Sequence, residues 1–166
     1  MNYIKALTTF SFIALIAACG GPGENADIPD AQPAGSTSAD IGDFVVHFSA
    51  QSTDSLPPEI AGAYNIVRSK NRAMLNVSII RESDGVPVPA NVSVKTVNLT
   101  GQLKNVTMRM IEEPGNPSNP GDAGAIYYIG VTPVANRETL NFDISVTPEG
   151  TTRASKVRFQ REFFTD

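Results

Sequence analysis

The feature that most constrains this sequence is a strict alternation of apolar and polar residues over short segments. It is clearest in TLNFDISV, residues 139–146, where every second residue is a large apolar one. A period of two places successive side chains on opposite faces of an extended chain, so the pattern predicts a β-strand with one buried face and one solvated face. The alternation recurs and predicts about seven strands, at residues 43–50, 72–80, 91–97, 104–111, 125–134, 139–146 and 156–164.

Turn-forming residues separate most of these predicted strands, since Gly, Pro, Asn and Asp are concentrated between them. The one helical candidate is LPPEIAGAY, residues 56–64, where two prolines suit a first helical turn and Gly62 keeps the helix short. We therefore predict an all-β domain: an immunoglobulin-like β-sandwich of about seven strands with one short helical turn. A closed β-barrel is the alternative.

The N-terminus has the features of a secretory signal peptide. Lys5 precedes an apolar run of 13 residues, Ala6–Ala18, which is shorter than the roughly 17 residues that a transmembrane helix needs. The end of this run, IAA, stands before Cys19, the only cysteine in the chain, and it resembles the lipobox of bacterial lipoproteins. In that family the signal is cut before the cysteine, whose thiol carries a diacylglyceryl group. The resemblance implies that residues 1–18 are a lipoprotein signal peptide and that Cys19 is the site of lipidation.

A flexible linker is predicted to follow the lipidated cysteine. Residues 19–42 are mostly small, polar, Pro and Gly, and only Ile28 and Ile41 are large and apolar, so this segment lacks the residues for a core. The β-sandwich domain is predicted at residues 43–166. Gly20 follows the cysteine, whereas an aspartate there commonly marks retention in the inner membrane of Gram-negative bacteria. We expect a periplasm-facing protein that is anchored in the outer membrane.

Composition and residue types argue against several classes of function. The chain has 13 basic and 17 acidic residues, so it lacks the positive footprint of a nucleic-acid-binding protein. A Ser-His-Asp triad would have to use His47, the only histidine, and no GxSxG segment is present. A soft copper site could combine this histidine with Met74, Met108 and Met110, but core packing is the favoured interpretation of the methionines. We predict a protein that is not an enzyme and has no cofactor and no metal site.

The most unusual segment is YNIVRSKNRAMLN, residues 64–76, because it concentrates positive charge just before a strong predicted strand. Guanidinium groups are suited to carboxylates and phosphates. We therefore take four of its residues as candidate partner-binding residues: Arg68, Lys70, Asn71 and Arg72. The alternative is a solvated basic loop that protects a strand edge from aggregation.

Three short motifs carry a resemblance to a known family. They are SKNR at residues 69–72, NLTGQL at 98–103 and FFT at 163–165. Through them most of residues 43–166 resembles a family of exported proteins of Gram-negative bacteria that is described as a domain of unknown function. The resemblance implies an exported β-sandwich with a shared surface around residues 68–72. This chain differs from the usual pattern in its lipobox and in a longer loop at residues 112–124.

The function predicted from these features is a lipid-anchored periplasmic binding module that engages an envelope protein or an acidic ligand. Residues 68–72 are its predicted contact surface. The alternative is a small-molecule or metal carrier with a pocket between the two sheets. A hydrolase is the weakest hypothesis, because it requires His47 to lie within a polar cluster in a concave pocket.

Overall fold

The computed structural model describes residues 35–119 and 121–166, which form nine β-strands, a 3-10 turn and one short α-helix, α1 (Pro58–Ala63). The 3-10 turn spans Thr53–Ser55. In chain order the strands are β1 (Ser38–Asp40), β2 (Phe44–Ser52), β3 (Arg72–Arg81), β4 (Ala90–Asn98), β5 (Leu103–Lys104), β6 (Arg109–Glu113), β7 (Ala125–Pro133), β8 (Glu138–Pro148) and β9 (Ser155–Phe163).

These strands form two antiparallel sheets. The five-stranded sheet has the order β1-β2-β3-β7-β6, and the four-stranded sheet has the order β5-β4-β8-β9. The all-β sandwich predicted from the alternation is confirmed, and each predicted strand overlaps an observed one. The structure adds two short edge strands, β1 and β5, because a strand of two or three residues is too short to show a period of two.

The linker predicted at residues 19–42 is corrected at its C-terminal end, while residues 19–34 lie outside the described part of the chain. Strand β1 pairs with β2 in the register Ser38–His47 to Asp40–Val45. Ala39 is buried in the main core, and Ile41 packs against it. Small residues therefore hold this segment on the sheet by main-chain hydrogen bonding, which the lack of large apolar residues in the sequence does not reveal.

The main core lies between the two sheets and uses the residues that the alternation placed inward. On β8 the side chains of Leu140, Phe142, Ile144 and Val146 have exposures of 1% or less. The ring of Phe159 stacks on Phe142, with 4.9 Å between the centroids, and it contacts Phe48 of the opposite sheet at 4.7 Å. These rings join the two sheets across the sandwich.

A second, smaller cluster covers the outer face of the five-stranded sheet. Helix α1 begins at Pro58 with proline in its first turn, as the sequence predicts, and it lies above β3 and β7. Met74 and Ile129, which point away from the main core, are buried with three residues from the helical region: Leu56, Ala61 and Ile66. Strand β7 is therefore apolar on both faces. In the described ranges, no helix is long and apolar enough to cross a membrane.

The methionines do not share one environment. Met74 is buried in the second cluster and Met108 packs against the main core, so the prediction of core packing is confirmed for both. For Met110 it is wrong, because this side chain is 50% exposed. Strand β6 is the edge of its sheet, and there the hydroxyl of Tyr128 donates to the Met110 sulfur at 3.4 Å.

Gly130 permits the close approach of a segment that connects the two sheets. The chain between β5 and β6 passes over Gly130, and a β-carbon there would lie 2.5 Å from Val106 Cγ1, 2.7 Å from the Met108 sulfur and 3.1 Å from the Thr107 carbonyl oxygen. Pairing of β6 with β7 begins only at Arg109, opposite Ile129. The strand predicted at 104–111 is thus interrupted, since residues 105–108 leave the sheet to close the edge of the sandwich.

Candidate functional site

His47 lies on the solvent-exposed side of β2, as the alternation predicts. Its strand neighbours in register are Ser38 and Ser78. Within the described ranges it forms no ion pair with a carboxylate, and no group of three or more His, Cys, Asp or Glu side chains is placed to hold a metal ion. The candidate site is therefore sought elsewhere on the sandwich.

The basic loop before β3 is held by one buried hydroxyl group. Thr53 is fully buried, and its Oγ1 lies 2.9 Å from the carbonyl oxygen of Val67 and 3.1 Å from that of Ser69. The same oxygen accepts a hydrogen bond from the main-chain N–H of Ser69 at 2.9 Å. The loop is consequently fixed against the 3-10 turn, and the side chains that follow it have a defined position.

Three of the four candidate residues have structural roles within the loop. Arg68 donates to the main-chain carbonyl of Asp54 at 2.7 Å, and Lys70 donates to a main-chain oxygen of Asp166 at 2.8 Å. Asn71 is held through its main chain, because its carbonyl oxygen accepts from the N–H of Val134 at 2.9 Å. The Lys70 contact ties the SKNR motif to Asp166, the residue that follows the FFT motif.

Arg72 differs from the other three because its side chain faces a groove. Among the residues that the structure describes, it forms no ion pair. The groove has a volume of about 300 Å³ and a second guanidinium, that of Arg109. We call it the basic groove; its polar residues are Asn65, Arg72, Asn105, Thr107 and Arg109.

Strand topology explains why Arg72 and Arg109 line the same groove. Each is the first residue of its strand, and β3 and β6 both pair with β7 in the antiparallel sense, so these two strands run in the same direction on either side of it. Both residues also occupy outer-face positions, since Arg72 precedes the buried Ala73 and Arg109 is paired with Ile129 of the second cluster. The two arginines therefore lie on the same face on either side of β7, opposite Pro133 and Ile129 respectively.

Arg109 was not predicted as a site residue, although a signal was present in the sequence. In KNVTMRMI three polar residues alternate with apolar ones, and all three line the basic groove: Asn105, Thr107 and Arg109. What the sequence does not show is that this polar face meets Arg72. The guanidinium of Arg109 also donates to the main-chain carbonyl of Tyr64, which joins β6 to the end of α1.

A second groove lies beside the first on the same outer face. It has a volume of about 360 Å³, and most of its lining is apolar, so we call it the apolar groove. Ile66 and Ile129 contribute to the walls of both grooves. Tyr64 lines the apolar groove, and its hydroxyl donates to the Glu113 carboxylate. A basic and an apolar surface are thus adjacent.

The NLTGQL motif has a structural role in the turn between β4 and β5. Asn98 Oδ1 accepts the main-chain N–H groups of Thr100 and Gln102 and so shapes the turn between β4 and β5. Burial of Glu138 opposes ionisation, but hydrogen bonds from Lys104, from the Asn98 amide and from a main-chain N–H outweigh it and lower the pKa of this carboxyl. This cluster stabilises the β4–β5 hairpin and joins it to the start of β8.

The loop between β6 and β7 contains a carboxylate, that of Asp122, which bonds within the loop. Asp122 accepts main-chain N–H groups from Asn116 at 2.9 Å and from Gly124 at 3.0 Å. These bonds lower the pKa of Asp122. Its geometry is explained by this internal bonding, without a ligand.

Comparison with known proteins gives a family match. The family model DUF4426, described as a domain of unknown function, matches residues 38–166. Among solved structures, the chain is similar to the crystal structure of a DUF4426 family protein from Pseudomonas aeruginosa PAO1, with 32% identity and a TM-score of 0.62 over 78% of this chain and 94% of that chain. The family match begins at the first residue of β1, in agreement with the corrected boundary of the domain.

A more distant likeness is to a family 123 glycoside hydrolase from Clostridium perfringens, with 15% identity and a TM-score of 0.38 over 71% of this chain and 27% of that one. A likeness at this level says nothing about activity. A search of curated proteins finds no match.

Proposed function

The chain belongs to the DUF4426 family, a domain of unknown function, and from its site geometry we propose that it is a non-enzymatic binding module of the cell envelope. In this proposal Cys19 carries the lipid anchor, the segment after it is a tether, and the sandwich faces the periplasm from the outer membrane. The support for the anchor is the lipobox-like IAAC sequence at residues 16–19. These residues lie outside the described part of the chain.

The convergence of two arginines on one groove carries the binding proposal. Arg72 and Arg109 come from different strands and line the same groove, although they are 37 residues apart in the sequence. Guanidinium groups form charge-assisted hydrogen bonds with carboxylates and phosphates. Asn65, Asn105 and Thr107 add further polar groups at the same place. The groove therefore suits an anionic group of a partner or ligand.

The structure refines the contact surface proposed from the sequence. Arg68 and Lys70 have main-chain acceptors, so their main contribution is to hold the loop. Arg72 remains a direct contact residue. Arg109 joins it because it lines the basic groove, and its guanidinium also donates to the main-chain carbonyl of Tyr64. Asn71 follows Lys70 in the loop and is exposed, which leaves it at the rim of this surface.

The alternative function, a small-molecule or metal carrier with a pocket between the sheets, has less support. The rings of Phe48, Phe142 and Phe159 pack against one another between the sheets. The basic and apolar grooves both lie on the outer side of the five-stranded sheet or at its edge. A ligand-dependent rise in melting temperature with a panel of metal ions would favour the carrier instead.

The binding proposal is tested by charge reversal with a matched control. We expect Arg72→Glu combined with Arg109→Glu to abolish in-cell crosslinking of the anchored protein to its partner. The protein should stay folded, with a melting temperature lowered only by loss of the Arg109 bond to the Tyr64 carbonyl. The control is Arg153→Glu with Arg161→Glu, which changes the net charge equally at two exposed residues outside the grooves. Equal crosslinking by both double variants would contradict the proposal.

The anchor is tested separately. We expect Cys19→Ala to remove fatty-acid labelling of the chain and to release it from the membrane fraction. Labelling that persists in this variant would contradict the lipoprotein assignment while leaving the groove proposal intact.

A further inference from the structure

The apolar groove offers a second contact next to the two arginines. Large side chains line it, among them Leu56, Ile60 and Ile111. Ile60 is 43% exposed, and Val67, on the wall of the basic groove, is 63% exposed. Adjacent exposed apolar residues of this kind are typical of interaction surfaces. A ligand bound in the basic groove can therefore reach an apolar surface without leaving this face.

The side chains of β6 connect the two grooves. Its outward positions carry Arg109, Ile111 and Glu113 in succession, so the strand presents a basic, an apolar and an acidic side chain in order. Tyr64 bridges the ends of this row, because its carbonyl accepts from Arg109 and its hydroxyl donates to Glu113. The row defines a direction along which an extended ligand can lie.

A polar side chain in the wall of the apolar groove indicates what kind of ligand fits. Asn76 lines the groove, and its side-chain oxygen is buried without a hydrogen-bond partner among the described residues. A buried acceptor without a donor is unfavourable, and a ligand that supplies a donor removes this penalty. An acyl chain has no donor, whereas a peptide has one main-chain N–H at almost every residue.

We propose that the basic and apolar grooves together bind an extended segment of a partner protein in which an acidic residue lies close to a large apolar residue. The acidic side chain pairs with Arg72 and Arg109, the apolar side chain enters the apolar groove, and a main-chain N–H of the segment donates to Asn76. This inference rests on the proposed function and names the chemistry of the partner. A lipid-like amphiphile is the competing occupant.

The test uses defined peptides and the mature chain from residue 19 onward, with Cys19→Ser so that neither lipid nor detergent competes for the grooves. The probes are capped peptides that contain one Phe and one Asp separated by zero to three glycines. Binding is measured by amide chemical-shift titration. We expect at least one spacing to shift residues of both grooves saturably, and we expect replacement of its Phe by Ala or its Asp by Asn to weaken binding at least about fivefold.

Two variants and a control assign the contacts. Arg72→Gln is expected to lower the affinity for the best peptide at least about fivefold. Asn76→Leu is expected to lower the affinity for this peptide and to raise the affinity for octanoate, which has no donor. Arg153→Gln, at a position remote from both grooves, should change neither affinity. A peptide affinity that is unchanged in Asn76→Leu would overturn the donor argument.

Two further probes separate this inference from the proposed function. If octanoate binds both grooves and no peptide does, the peptide inference is refuted in favour of an amphiphile. If phosphate binds as tightly as the best peptide, the site is only an anion site. If either of these probes depends on Arg72, the proposed function survives the failure of the inference. If no probe binds saturably, both proposals fail.

Discussion

The close approach at Gly130 makes a prediction that links stability to the candidate site. In the Gly130→Ala variant the new methyl group would overlap Val106 Cγ1 and the Met108 sulfur, and it would press on the carbonyl oxygen of Thr107. The two side chains can rotate away, but the main-chain oxygen moves only if the connecting segment moves. The substitution should therefore displace residues 105–108 from the edge of the sandwich.

The magnitude follows from the geometry. Contacts of 2.5 and 2.7 Å are far inside van der Waals separation, and overpacking of this kind costs about 1–3 kcal/mol. We expect a loss of about 2 kcal/mol in the free energy of unfolding, which lowers the urea midpoint by roughly 1 M. Because Asn105 and Thr107 line the basic groove, affinity for an anionic ligand should also fall.

The assay is urea unfolding of Gly130→Ala beside Gly62→Ala. Gly62 lies in α1, where an added β-carbon meets no heavy atom within 4 Å, so alanine should stabilise the helix by up to about 1 kcal/mol. The two glycine-to-alanine changes are thus expected to have opposite signs. A Gly130→Ala midpoint equal to that of the wild type would refute the packing of residues 105–108 against β7.

Two more predictions concern buried polar groups. Thr53→Val should destabilise the fold by about 1–3 kcal/mol, because it leaves the main-chain groups that bond Thr53 without their partner. Thr96→Val should instead stabilise the fold by up to about 1 kcal/mol, because the buried Thr96 hydroxyl has no partner in the described ranges. Urea unfolding of the pair is the check, and equal effects would contradict the reasoning. The pKa of Glu138 is lower in the folded protein than its ordinary value of 4.5. The ionised Glu138 therefore stabilises the fold fully above pH 4.5, and this stabilisation is lost as the pH falls through the lowered pKa. Unfolding midpoints between about pH 7 and about pH 3 should therefore fall less steeply in Glu138→Gln than in the wild type, and parallel profiles would count against this account.

The sandwich was predictable because strands with one buried face have apolar residues at every second position of the sequence. The inward residues of β3 and β8 are those that the alternation selects, and the helix near Pro58 follows from proline placement. Strand β1 was not predictable, since main-chain pairing and one small buried residue, Ala39, hold it. The exposure of Met110 also depends on the strand order, which puts β6 at an edge.

The candidate site was only half predictable for a similar reason. Charge density identified residues 68–72, but the sequence does not show which of these side chains are already engaged within the fold. Lys70 bonds to Asp166, 96 positions away. Arg109 lines the same groove as Arg72 only because β3 and β6 run in the same direction beside β7. Both are long-range consequences of topology, which no local pattern encodes.

Site-specific photocrosslinking in the cell tests the central claim most directly, namely that the face with the two grooves binds the partner. A photoreactive residue at Val67 lies on the wall of the basic groove. The control is a photoreactive residue at Ser83, which is also exposed. Ser83 lies just beyond the opposite end of β3, roughly 30 Å away along that strand. We expect one discrete crosslinked product from position 67 that is absent from position 83 and disappears with Arg72→Glu and Arg109→Glu. The same product from both positions, or its persistence in the double variant, would contradict the claim.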